Sequence, residues 1–216
     1  MKVSVGIYWD EDLRTVDQIA ELLAASLHEF RSNLYCEEVW RDQGQSKVEA
    51  DALSGAGIAP PELATRLETS RFSGSGDTDI RWRFPYLLGL YSPAFDGTAL
   101  SLTAGLTDGR VNSLILAIND FSGLASDLAR LLKSLVELWD PDFGLIWNRA
   151  VFAMQKNIPL KKRAGWATYR RAVQDVPTGN EFSGENLLSG VYIQSTEPLS
   201  QISSKSIDAI LRGLEW

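Results

Sequence analysis

Hydrophobic and polar positions alternate along this chain with two different periods. Over "KVSVGIYW" the residues Val3, Val5 and Ile7 fall on every second position, the pattern of a strand with one buried face. From 13 to 30 the period changes. Leu13, Val16, Ile19, Ala20, Leu23 and Leu27 recur three and four apart, which predicts an amphipathic helix of about five turns. Asp10 to Asp12 place negative charge where that helix starts, the end its dipole makes positive. A short helix is expected near 47–53 and another from Pro61, since proline suits the first helical turn. "SGSGD" at 73–77 reads as a turn.

Strands dominate the middle. "RWRFPYLLGLYS" is one, with Pro85 at an edge or ahead of the strand proper. Segments 99–106 and 111–119 are two more. Asp108-Gly109 between them is a two-residue hairpin signal, so the two are expected to pair antiparallel. Residues 122–138 carry Leu124, Leu128, Leu131, Leu132 and Leu135 on one helical face. "FGLIWN", "GWATYRR" and "SGVYIQST" read as strands. "SKSIDAILRGL" reads as a closing helix capped by Ser203 or Ser204. The predicted fold class is α+β: a mostly antiparallel sheet with amphipathic helices packed on it, as a single domain over 1–216.

Composition narrows the function classes. A chain of 216 residues buries roughly 70% of its unfolded surface and needs no covalent staples. Its one cysteine, Cys36, excludes an intrachain disulfide and fits a reducing compartment. No apolar run reaches the ~20 residues of a membrane span, and the opening residues do not form a secretory signal. A cytoplasmic protein with no membrane partner is expected. The net charge of −7 argues against direct nucleic-acid binding. Residues 1–148 hold 12 Lys+Arg against 22 Asp+Glu, whereas residues 149–216 hold 9 against 6. An acidic face built from the first two thirds is one reading of that imbalance; scatter over a solvated surface is the other.

Catalytic motifs are sparse. Asp142-Phe143-Gly144 matches the kinase magnesium tripeptide. A kinase also needs a His-Arg-Asp loop, and the only histidine is His28. His28-Glu29 lacks the second histidine of a zinc protease, because Ser32 stands there. Cys36 with His28 is a formal nucleophilic pair, but Cys36 reads as a small, partly buried hydrophobe. No phosphate loop, nucleophile elbow or dinucleotide fingerprint is present. The carboxylate pairs Asp10/Asp12, Glu37/Glu38 and Asp140/Asp142 have the chemistry for acid–base work or Mg²⁺. Helix-start and turn positions account for two of those pairs without any catalysis. Lys156, Lys161, Lys162, Arg163, Arg170 and Arg171 form a basic run that reads as a solvated loop or a phosphate contact.

The landmarks occur in a recognisable order. "VGIYW" runs into a long helix and is followed by "EEVWRDQGQSKVEA". "LSLTAGL" and "VNSLILAIN" come next, then "LWDPDFG" after the second helix, and finally "GWATY". In this the chain resembles the immunity protein 52 family of bacterial toxin–immunity systems. The resemblance implies a binding protein rather than an enzyme, with no cofactor and no metal. It also implies a partner: a cognate nuclease toxin, basic and restriction-endonuclease-like, delivered by a type VI secretion system. An acidic inhibitor gains steering toward such a surface. On that reading Asp10, Glu11, Asp12, Glu37, Glu38 and Asp142 are the candidate partner-binding residues. A small metal- or carboxylate-dependent hydrolase and an effector adaptor or chaperone are the alternatives. "WDPDFG" itself reads as a structural corner. Trp139 and Phe143 pack inward, Asp140 takes up backbone amides, and Asp142 joins the acidic surface.

Overall fold

The computed structural model describes residues 1–34, 40–42, 59–70, 86–92, 94–106, 111–173 and 175–214. Among these, nine strands form one antiparallel sheet: β1 (Val3–Trp9), β2 (Arg41–Asp42), β3 (Tyr86–Ser92), β4 (Thr98–Ala104), β5 (Asn112–Ile118), β6 (Phe143–Asn148), β7 (Ala167–Arg171), β8 (Phe182–Leu187) and β9 (Gly190–Ser195). Their order across the sheet is β2-β3-β4-β5-β1-β6-β7-β9-β8. The opening strand therefore sits at the centre, paired with β5 on one side and β6 on the other. The α+β class read from the sequence holds.

Strand pleating sorts side chains onto two faces, and the faces are covered unequally. Val3, Val5, Ile7 and Trp9 share a face with Leu114 and Leu116 of β5 and Leu100 and Leu102 of β4, all buried. Helices α1 (Val16–Leu34), α2 (Pro60–Thr69) and α3 (Ala125–Trp139) pack over that face, burying Leu23, Phe30, Leu63, Leu67, Leu128 and Leu132 in one continuous core. The opposite face is partly filled by α4 (Arg149–Met154) and α5 (Ser204–Gly213) over the β6–β8 half. Beyond α4, Ser101, Ser113 and Ile115 on the same side of β4 and β5 remain exposed or half-exposed.

Local signals explain most boundaries. α1 starts at Val16, three residues later than expected, because Thr15 and Gln18 cap it reciprocally. The Gln18 N–H donates to Thr15 Oγ1 at 3.3 Å and the Thr15 N–H to Gln18 Oε1 at 2.9 Å. Ser203, not Ser204, caps α5, accepting from the Ser206 N–H at 3.2 Å. β4 and β5 pair as the Asp108-Gly109 signal required, with Thr103 opposite Ser113, although the turn lies outside the described residues. The expected helix near 47–53 and the "SGSGD" turn also lie outside them. Two elements correct the sequence reading. α4 and β8 both occupy stretches assigned to no element. Among the described residues no helix is long and apolar enough to cross a membrane.

Candidate functional site

Three chain segments meet at one end of the central strands. Tyr8 of β1 pairs with Phe143 of β6, and Phe143 pairs with Arg170 of β7. The exit of β1, the α3–β6 turn and the end of β7 are thereby brought together. This register, rather than sequence proximity, gathers Asp10, Glu11, Asp140, Asp142, Arg14 and Arg171 around one small depression.

Backbone bonds hold the corner. The Asp142 N–H donates to Tyr8 O at 2.9 Å, and the Arg171 N–H to Asp142 O at 3.0 Å. Asp140 ends α3 in the left-handed region, with φ 45°, which Asp tolerates better than most residues. The roles expected of the two aspartates are exchanged. Asp142, not Asp140, takes up a backbone amide, accepting from the Asp10 N–H at 2.8 Å. Asp140 is the more exposed and binds the Arg171 guanidinium, which also reaches the Asp140 carbonyl.

The carboxylates are largely neutralised from within. Arg171 Nη1 lies 3.5 Å from Asp142, and Lys161 Nζ lies 2.7 Å from Asp10. Burial alone lowers the pKa of the Arg171 guanidinium. The hydrogen bond and charge of Asp140, with Asp142 behind them, outweigh that and raise it above its ordinary value. The basic run thus folds back onto the acidic segment, so Lys161 and Arg171 are not simply a solvated loop. Of the candidate binding residues in this corner, Glu11 is exposed and engaged by no hydrogen bond or ion pair among the described residues. Glu37 and Glu38 lie outside the described residues, as does Cys36.

Asp12 corrects the expectation of an acidic face most directly. It is 2% exposed and cannot present its charge to a partner. Its carboxylate accepts from the Arg14 N–H at 3.1 Å and the Gly105 N–H at 3.4 Å, tying the β1–α1 connection to the end of β4. Arg14 completes the arrangement. Its guanidinium donates to Trp139 O at 2.6 Å and lies over the rings of Trp9 and Trp139, 5.6 and 5.5 Å from their centres. Asp12→Ala leaves two backbone donors without a partner, at an expected cost of about 2 kcal/mol. Urea unfolding followed by circular dichroism measures it, and an unchanged midpoint would contradict the assignment.

The opposite sheet face carries a second feature that sequence reading did not find. Tyr8 stacks on Phe143 with ring centres 4.6 Å apart, and Leu145 joins them in a small cluster separate from the main core. Phe143 does pack inward, as expected, but on this face. Burial raises the pKa of the Tyr8 phenol above its ordinary value, so Tyr8 is neutral there. Beside the cluster, between α4 and the strands β1 and β5, runs a groove of about 750 Å³. Trp147 forms one wall, lying so close over Gly6 that a Cβ there would come within 2.9 Å of its ring. Phe152, 44% exposed, stands over it from α4. The signal available in the sequence was the small residues Ser4 and Gly6 on β1 and Ser113 and Ala117 on β5, in strands otherwise rich in large apolar side chains.

Among the described residues no group of three or more His, Cys, Asp or Glu is placed to hold a metal ion. His28 lies exposed on α1, 3.5 Å from Ser32. No family model and no curated protein matches the sequence. Among solved structures, the T6SS protein PA0821 of Pseudomonas aeruginosa aligns over 98% of this chain and 72% of its own, with a TM-score of 0.54 and 11% sequence identity. At that identity the likeness is one of fold: the described sheet and its helices have a counterpart across nearly the whole chain.

Proposed function

We propose that this chain is an immunity protein, a binding protein that neutralises a cognate antibacterial nuclease toxin of a type VI secretion system by direct contact. One observation carries the reading: a protein of a type VI secretion system shares the fold along 98% of this chain. The order of sequence landmarks resembling the immunity protein 52 family supports it. So does the net charge of −7, which favours encounter with a basic nuclease. The corner carboxylates support a hydrolase less well, because Arg171 and Lys161 already occupy Asp140, Asp142 and Asp10.

Co-expression with a candidate nuclease toxin, sought among the neighbouring genes, tests the reading. The expected outcome is survival of the host together with co-purification of a one-to-one complex. Binding without protection would instead mark an effector adaptor. The absence of both binding and protection would refute neutralisation by contact.

A further inference from the structure

The groove beside α4 has a chemistry opposite to that of the chain as a whole. Its walls are apolar: Tyr8, Val111, Ile115, Trp147, Phe152 and Leu160. The charged residues lining it are Lys2 and Arg149, both cations, in a chain of net charge −7. Strand register places them together, since Val3 pairs with Asn148. The groove is therefore apolar along its length and positive at one end.

The backbone beneath it restricts what can lie there. β4, β5, β1 and β6 hydrogen-bond to one another in continuous register, so the floor offers no free ladder groups to an added strand. An occupant has to satisfy its own backbone, which a helix does. Helices already cover the adjoining half of the same face, and one more beside α4 would continue that layer. The small side chains of Ser4 and Ser113 lie on the floor, Trp147 covers Gly6, and Trp147 and Phe152 stand as walls. From Lys2 to Tyr8 the strand spans about 20 Å, the length of a helix of roughly 13 residues.

We infer that this groove docks an acidic amphipathic helix of a partner protein. Its apolar stripe lies against Ile115, Trp147 and Phe152, and its carboxylates lie over Lys2 and Arg149. The inference rests on the toxin-binding reading, in which the partner is the toxin. It moves the main contact away from the acidic corner to the opposite face of the sheet.

The probe is the nuclease toxin that co-purifies in the co-expression test, catalytically inactivated, with its affinity measured by calorimetry. Lys2→Glu with Arg149→Glu, and separately Ser113→Trp to fill the groove, are each expected to weaken binding by about 100-fold. Glu11→Lys at the acidic corner is expected to change it by no more than about threefold. Lys2 and Arg149 are exposed, so their double variant decides the matter even if Ser113→Trp fails to fold. Carbodiimide coupling of the complex is expected to join Lys2 Nζ to a toxin carboxylate, and Lys2→Arg to abolish that product. A wild-type complex that tolerates both groove variants would overturn the inference and leave the toxin reading standing. The absence of any wild-type complex would overturn both. A dimer of this chain that Ser113→Trp dissociates would assign the groove to a second copy and equally overturn the inference.

Discussion

Trp139→Ala is expected to cost about 3–5 kcal/mol, the range for truncating a fully buried large aromatic side chain. Trp139 is 0% exposed at the end of α3 and joins three elements. Its ring packs on Trp9 of β1, with centres 4.9 Å apart, and its indole N–H donates to Ser26 Oγ on α1 at 2.8 Å. The Ser26 hydroxyl donates in turn to Leu22 O at 2.8 Å, which orients its oxygen toward the indole. Arg14 lies over the same ring, so truncation also strips that guanidinium of an aromatic face. Trp139→Phe keeps much of the packing and loses the N–H. It is expected to cost about 1–2 kcal/mol, which separates packing from hydrogen bonding. Thermal melts of both variants measure the effect, with a fall of about 10 °C or more expected for the alanine variant. A melt indistinguishable from wild type would mean that Trp139 does not tie the helical layer to the sheet.

How much of this was legible depends on the range of the signal. Elements whose patterns are local and strongly periodic could be read directly. Val3, Val5 and Ile7 gave β1, the leucines of 122–138 gave α3, and Asp108-Gly109 gave the pairing of β4 with β5. Elements without a local pattern were missed. Only Val151 of α4 is buried, so its six residues carry no helical stripe. β8 is an edge strand whose residues 183–186 are exposed, so nothing in "FSGENL" alternates. The start of α1 was misplaced because the acidic run overshadowed the Thr15–Gln18 cap.

Site residues were legible as types but not as partners. That "LWDPDFG" forms a corner follows from proline and aspartate turn chemistry. That Asp10 meets Lys161 and Asp140 meets Arg171 depends on which strands neighbour β1 and β6, which no local pattern records. Charge counting is limited for the same reason. The acidic first part and the basic run look like separate surfaces in the sequence, yet Lys161 and Arg171 pair with Asp10, Asp140 and Asp142 in the fold. Asp12 shows the physical limit of counting: a buried carboxylate held by backbone amides and paired with Arg14 offers no surface for a partner to contact.

Gly165→Ala is expected to be nearly as damaging as loss of Trp139, by the opposite mechanism. Gly165 sits where the chain enters β7 against β6. A Cβ there would fall inside contact distance of Ile146 O and come within 2.7 Å of Ala167 O. Both are backbone atoms of paired strands, so neither can move aside as a side-chain tip does. The adjoining Trp166 N–H donates to Ile146 O at 2.7 Å, and the Gly165 N–H donates to Thr168 Oγ1 at 2.9 Å. Relieving the clash would stretch the seam that sets the register of β7, and with it the position of Arg171. Overpacking of this kind, together with a weakened buried hydrogen bond, gives an expected cost of about 3 kcal/mol. Gly184→Ala is the informative comparison. Its Cβ would meet Val176 Cγ1 at 2.7 Å, a side chain of a loop that can yield, so a cost of about 1 kcal/mol or less is expected. Urea unfolding of the two variants in parallel reads the difference. Equal midpoints would show that the β6–β7 seam relaxes as readily as a loop. A large gap would locate the rigidity that holds Arg171 against Asp140 in the backbone of that seam rather than in the ion pair itself.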